Sequence, residues 1–227
     1  MTSSEKFPVK KERKKVVNRA VSVEQLMRAN LKGLEFTGSW HDSFGKPELT
    51  GSWLVWGHSG NGKTRFALYL AKYLTGFGKR VIYNSLEEGV SLSMQTAFNE
   101  CGMQEVQRRF VLLDKEPISE LQERLLRPKS PDIIIIDSIQ YSGMNYADYI
   151  KFTNTFRRKL FILISHADGK LPEGRVARSI RFDSNVKIWV YGYVAFPVSR
   201  YGGGTPYTIW EQGAYEFGHL NLENINK

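Results

Sequence analysis

Apolar and polar positions fall into blocks along the chain, and the blocks follow two periods. Short runs of apolar, β-branched and aromatic residues read as strands at residues 52–56, 80–86, 109–114, 132–137 and 160–165. Between them lie four segments with apolar residues three and four apart, at 65–74, 90–100, 117–127 and 146–158, which read as helices. Two later runs, 186–191 and 207–210, read as strands that close the sheet. The run Asp132-Ile133-Ile134-Ile135-Ile136-Asp137 is the strongest strand signal. Four consecutive isoleucines imply burial on both faces, as in the centre of a parallel sheet. Alternating strands and helices predict one α/β domain with a mainly parallel central sheet flanked by helices. Its crossovers should be right-handed, and its ligand should bind at the carboxyl ends of the strands.

The flanks are less regular. Residues 1–20 read as a disordered basic tail, and 21–227 as a single domain without internal repeats. Ser22 and Gln25 have the spacing of a capping box, and Val23, Leu26, Met27 and Leu31 form one apolar face of a short helix ending near Gly33. Leu34 to Gly51 is a turn-rich, aromatic lead-in packed on the sheet. Its Trp40 and Phe44 read as core, with a place in a ligand pocket as the alternative. A polar loop is expected from His166 to Arg175.

Composition narrows the picture. The chain has 227 residues, 41% hydrophobic and 24% charged, which suits a globular protein with one core. No run approaches the roughly 18 apolar residues of a membrane span. The polar, basic N-terminus does not resemble a secretory signal, and Cys101 is the single cysteine, so a reducing cytoplasm is expected. The formal net charge is +9. Residues 1–20 hold seven Lys and Arg against two Glu, and read either as a solvated tail or as an arm for nucleic-acid phosphates.

The candidate chemistry centres on Gly57-His58-Ser59-Gly60-Asn61-Gly62-Lys63-Thr64, which fits G-x-x-x-x-G-K-[ST]. Glycines let the backbone turn tightly and aim N–H groups at phosphate oxygens. Lys63 supplies a point charge for the β- and γ-phosphates, and the Thr64 hydroxyl can ligate Mg²⁺. Strand before and helix after is the arrangement that binds phosphate, and Arg65 follows directly on the helix. ATP and Mg²⁺ are the expected cofactors.

Asp137 ends the isoleucine strand, where a carboxylate can hold the Mg²⁺ water shell near Thr64. Glu87 ends the strand at 80–86 and is the candidate general base for the attacking water; the adjacent Glu88 should point elsewhere. Ser165 and His166 end the next strand and could contact the γ-phosphate.

This motif order resembles the RecA-type ATPase core, the group of RecA, archaeal RadA, DnaB-type helicases and KaiC-like proteins. The residues that carry it are Gly57–Thr64, Ser85-Leu86-Glu87, Ile133–Ser138 and Ile164-Ser165-His166. Ala177 to Val186 resembles the helicase segment before its next core strand, and Ser199-Arg200-Tyr201-Gly202-Gly203 resembles the family's finger hairpin. Val198 stands where that hairpin usually has a lysine, and His166 where the family has a glutamine. The resemblance implies a RecA-like P-loop ATPase domain and a homo-oligomer with nucleotide at subunit interfaces, where Arg200 reaches a neighbour's γ-phosphate. The bare core is similar to short RecA-like proteins of phages and mobile elements, which implies a role in recombination, replication or transposition on single-stranded DNA. DNA would meet two loops, Ser138–Ala147 with Tyr141 and Tyr146 for stacking, and His166–Arg178 with Lys170, Arg175 and Arg178 for phosphate. The alternatives are a P-loop kinase and a KaiC-like ATP-dependent assembly or signalling module that does not bind DNA.

Overall fold

A computed structural model of the chain describes residues 20–225. The expected tail therefore lies, but for residue 20, outside the described residues. The first helix, α1 (Val23–Met27), has the predicted capping box, with Ser22 and Gln25 bonded reciprocally. It stops at Met27 rather than near Gly33, and none of its residues is buried. One turn without tertiary burial cannot propagate, because helix nucleation is costly.

The body starts at Gly33. Its five predicted core strands are β1 (Gly51–Gly57), β2 (Val81–Ser85), β3 (Phe110–Asp114), β4 (Ile133–Asp137) and β5 (Leu160–Asp168). Then come β6 (Leu171–Pro172), β7 (Val186–Tyr191), β8 (Val194–Ser199) and β9 (Tyr207–Thr208). The sheet order is β3-β2-β4-β5-β1-β7-β8-β9, with β6 paired to β5 alone. Pairing is parallel from β3 through β7 and antiparallel from β7 to β9. The expectation of one mainly parallel α/β sheet is met.

Helices cover both faces. On one side lie α2 (Gly38–Phe44), α3 (Lys63–Thr75) and α4 (Leu92–Glu100); on the other, α5 (Ile118–Leu126), α6 (Tyr146–Thr155) and α7 (Gly174–Asp183). Alternation along the strands sorts the core: Ile133 and Ile135 join Phe44, Phe66 and Leu70, while Ile134 and Ile136 join Leu121, Phe152 and Ile180. The isoleucine run is fully buried, as its pattern required.

Several expectations need correction. The lead-in at 34–51, expected as turns, contains the helix α2, while its Trp40 and Phe44 are core residues, as expected. The loop expected from His166 is absent. Strand β5 runs on to Asp168, turns at Gly169-Lys170, and returns as β6 before α7 begins at Gly174. Arg178 therefore sits on a helix, where it bonds Asp168 (2.6 Å) and the carbonyl of Pro172 (3.1 Å). The other expected loop is short as well. A 3₁₀ turn occupies Ile139–Tyr141, α6 starts at Tyr146, and the Tyr146 hydroxyl donates to Asp183. A last helix, α8 (Glu211–Ile225), was not anticipated.

Candidate functional site

The phosphate-loop motif lies between β1 and α3, at the carboxyl edge of the sheet. Its first glycine is required by packing, since a Cβ on Gly57 would lie 2.2 Å from the carbonyl oxygen of Val190. Gly60 and Gly62 both take left-handed backbone, with φ of +75° and +94°, which glycine adopts without strain. Gly62 caps α3 without any side-chain bond, so the first N–H groups of that helix stay free for an anion.

Asn61 fixes the loop to the rest of the sheet. Its Oδ1 accepts from the N–H of Gly192 (2.8 Å), its Nδ2 donates to Ser59 O (3.1 Å), and its carbonyl accepts from the N–H of Tyr193 (3.2 Å). Gly192 and Tyr193 form the β7–β8 turn, so a hairpin late in the chain braces the loop. The motif pattern leaves this position free, and nothing in the sequence pointed to Asn61 as the brace.

Lys63 folds back to donate to His58 O (2.9 Å). Burial holds its ammonium below the ordinary lysine value, against the opposing pull of Asp137 and Glu87. Asp137 ends β4, and burial lifts its carboxyl to about 6, although a 2.5 Å hydrogen bond from the Tyr83 hydroxyl opposes the rise. Burial, then the Asp137 charge, holds the Tyr83 phenol well above its usual value, while a hydrogen bond to the Thr64 side chain acts in the opposite direction. Tyr83 thus joins the two residues expected to serve a metal. It lies mid-strand in β2, where the sequence reads it as ordinary core.

Glu87 and Glu88 follow β2 and both line the cleft. The Glu87 carboxylate meets His166 Nε2 at 2.8 Å and Ser138 Oγ at 3.3 Å. Glu88 accepts instead from Ser93 Oγ (3.1 Å). His166 stands between two carboxylates, with Glu173 3.2 Å from its Nδ1. Ser165 is buried and bonded to Gln140 and the His166 carbonyl, so it does not share the cleft. Arg65 is half-buried on the cleft wall, ion-paired with Glu100, its guanidinium 5.0 Å from the centre of the Trp210 ring.

These residues enclose a cleft of about 470 Å³. Of the larger hollows, the one beside β3 is walled mainly by apolar side chains, the one beside α3 mixes aromatic and polar ones, and the one at the end of α3 holds Lys72, Arg108 and Arg109 with Glu105 as its carboxylate. The 470 Å³ cleft combines free helix N–H groups, a lysine and several carboxylates, the set that a phosphate and a divalent cation require. Among the described residues no group of three or more His, Cys, Asp or Glu could hold a metal by itself. Mg²⁺ keeps waters and takes one or two protein oxygens beside phosphate; Thr64 and Asp137 offer hard oxygens in the cleft.

No protein-family model matches the chain, and no curated protein matches it. Among solved structures, it is similar to the flagellar accessory protein FlaH from Methanocaldococcus jannaschii, at 16% identity with a TM-score of 0.55, over 78% of this chain and 94% of that one. The fold is RecA-like. At this identity the likeness carries the architecture and nothing finer.

In this RecA-like body Arg200 stands apart from the cleft. It follows β8, which runs antiparallel to β7, and its side chain donates to Asn185 (3.2 Å) at the start of β7. The length of β8 puts it roughly 23 Å along the sheet from the Gly192-Tyr193 turn that braces the phosphate loop. An arginine cannot bridge that distance to its own subunit's nucleotide. No described helix is long and apolar enough to cross a membrane.

Proposed function

We propose that the chain is a Mg²⁺-dependent ATPase. The observation that carries this reading is the convergence of Lys63, Thr64, Glu87 and Asp137 on one cleft at the free N-terminus of α3. The loop N–H groups and Lys63 take the phosphates, and Arg65, 5.0 Å from the centre of the Trp210 ring, offers a face to the base. Thr64 and Asp137 would hold Mg²⁺, which would supply charge neutralisation at the phosphates. Glu87 orients and deprotonates the attacking water. His166 is hydrogen-bonded to the Glu87 carboxylate. Exchange of that contact for the γ-phosphate would free the base only when substrate is in place, so His166 acts as sensor. Arg200, too far for its own cleft, serves a neighbour's γ-phosphate in a homo-oligomer. Phosphate release from ATP by the purified chain, with and without Mg²⁺ and in Lys63→Ala, tests the reading; equal rates in all three would reject it.

The finer expectation is action on single-stranded DNA in recombination, replication or transposition. The two loops support it less than their sequence suggested, because Arg178 and Tyr146 are bonded within the body. Tyr141 and Arg175 remain exposed at that edge. DNA stimulation of hydrolysis would favour this role, phosphate transfer to another molecule a kinase, and indifference to DNA an assembly module.

A further inference from the structure

The opposite edge of the sheet has a composition of its own. Strands β3, β2, β4 and β5 are adjacent, parallel and in register, with Val81 opposite Phe110 and Ile133, and Ile133 opposite Leu160. Their four incoming connections therefore line up along the amino edge. Backbone hydrogen bonds join them: Val81 N–H to Arg109 O (2.8 Å), Asp132 N–H to Arg80 O (3.0 Å) and Leu160 N–H to Asp132 O (3.0 Å).

Each connection is basic. Lys79 and Arg80 precede β2, and Arg108 and Arg109 precede β3. Arg127 and Lys129 precede β4, and Arg157, Arg158 and Lys159 precede β5. Residues 76–80, 107–109, 127–132 and 156–159 thus hold nine Lys and Arg against Asp132 alone, a balance of +8 where the whole chain carries +9. Nearly all the net charge of the protein is matched by four short segments on one edge.

Three of these cations are structural. Arg80 donates to the carbonyls of Lys129 and Ser130, Arg109 to Thr75 O (2.8 Å), and Lys159 to Pro131 O (2.6 Å) and Ser130 Oγ (2.9 Å). They pin the connections to one another and leave the rest outward. Among the described residues, Arg108, Arg127, Lys129, Arg157 and Arg158 are exposed and have no carboxylate within ion-pair distance. Helices α3, α5 and α6 end at this edge, and a helix C-terminus favours a nearby cation. That accounts for about one cation per helix, and α5 and α6 are followed by two and three.

We infer that this edge is a docking surface for the phosphate backbone of a nucleic acid, on the side of the sheet away from the nucleotide cleft. Six of the nine cations are arginines, whose planar fork matches phosphate oxygens. Four strands at about 4.8 Å spacing make a row about 14 Å long, which spans roughly four phosphates of one strand. The four connections expose no large apolar side chain, so they offer little to insert into a lipid surface and no ring on which a base would stack. Recognition is therefore of phosphate and indifferent to sequence. The inference does not rest on the proposed ATPase, because the surface shares no residue with the cleft.

The test uses the full-length chain without nucleotide and a fluorescein-labelled 30-nucleotide oligodeoxynucleotide, single-stranded and as a duplex, titrated across salt. In the variant Arg127→Gln/Lys129→Gln/Arg157→Gln/Arg158→Gln, binding should weaken about tenfold or more, and the salt slope on the single strand should flatten by roughly 0.7 per cation removed. The charge-retaining variant Arg127→Lys/Arg157→Lys/Arg158→Lys should keep the slope. Basal ATP hydrolysis should be unchanged in both, which also reports that they fold. Unchanged oligonucleotide affinity and slope in the glutamine variant would overturn the inference, as would loss of slope in the lysine variant. So would a glutamine variant that lost binding only to phosphatidylserine vesicles, since that outcome would assign the edge to a membrane surface.

Discussion

Replacing Asp137 by Asn should make the metal-free protein more stable while abolishing hydrolysis. The carboxyl is lifted from 3.8 to about 6, mainly by burial. Because the folded value lies above the unfolded one, ionisation favours the unfolded chain. Below 3.8 both states are protonated and the group contributes nothing. As pH rises, the unfolded chain ionises first and the folded state loses stability until its own carboxyl ionises near 6; beyond that the loss is constant. Full transfer of this difference is about 3 kcal/mol at neutral pH. One side of the carboxylate faces the cleft and keeps some water, so about 1–3 kcal/mol is expected. Asparagine keeps an oxygen for the Tyr83 hydroxyl and carries no charge, so it escapes this cost.

The assay is thermal unfolding in EDTA across pH. A domain of this size shifts by roughly 2–4 °C per kcal/mol, so Asp137→Asn should melt about 5 °C higher than the parent at pH 7.5. The advantage should fall by roughly half at pH 5, to about a fifth at pH 4, and vanish near pH 3. Mg²⁺ with nucleotide should stabilise the parent more than the variant. A variant equal to or less stable than the parent at pH 7.5, or an advantage independent of pH, would refute the reasoning about this carboxylate.

Three further outcomes test the proposed chemistry. Lys63→Ala should lower turnover by about 10²-fold or more, since it removes charge stabilisation at the phosphates, as read by phosphate release. Glu87→Gln should retain nucleotide binding by fluorescence titration and lose hydrolysis; if Glu88→Gln is the inactive variant, the base has been misassigned. Arg200→Ala and Lys63→Ala, each nearly inactive, should regain activity when mixed, because hybrid interfaces combine an intact lysine with an intact arginine. No recovery in oligomers shown to be mixed would remove Arg200 from the chemistry.

The parallel half of the sheet was legible because its strands are fully buried and its helices are periodic. The later part was not, for local reasons. Strand β8 contains Pro197, which argues against a strand, yet β9 pairs only with Val194 and Ala195, so Pro197 lies where the strand has one partner and its missing N–H is tolerated. Helix α8 was hidden by Gly213 and Gly218, poor helix formers. Gly213 has a packing reason, since a Cβ there would lie 2.2 Å from the Trp210 ring. Helix α2 is seven residues long with no side-chain bond from its N-cap, so its capping signal is weak. In the site, Lys63, Thr64, Glu87 and Asp137 were legible because strand ends and the loop motif place them. Tyr83, Glu173 and the bracing role of Asn61 were not, because each acts through a partner distant in sequence: Asp137 for Tyr83, His166 for Glu173 and the β7–β8 turn for Asn61.

The same strands carry both surfaces at their two ends. Strand β2 begins after Arg80 and ends before Glu87; β4 begins after Asp132 and ends at Asp137. Both are fully buried along their length but for Asp137, and close-packed interiors do not deform continuously. Within one subunit, then, nucleotide in the cleft has no compliant path along the strands to the basic edge. In the proposed homo-oligomer, coupling between them would arise from the relative placement of subunits, which would set how many basic edges face one polyanion. Oligonucleotide affinity of the isolated subunit should therefore be the same with and without ATP, and nucleotide dependence should appear only where the chain assembles, as a change in avidity rather than in the contact itself.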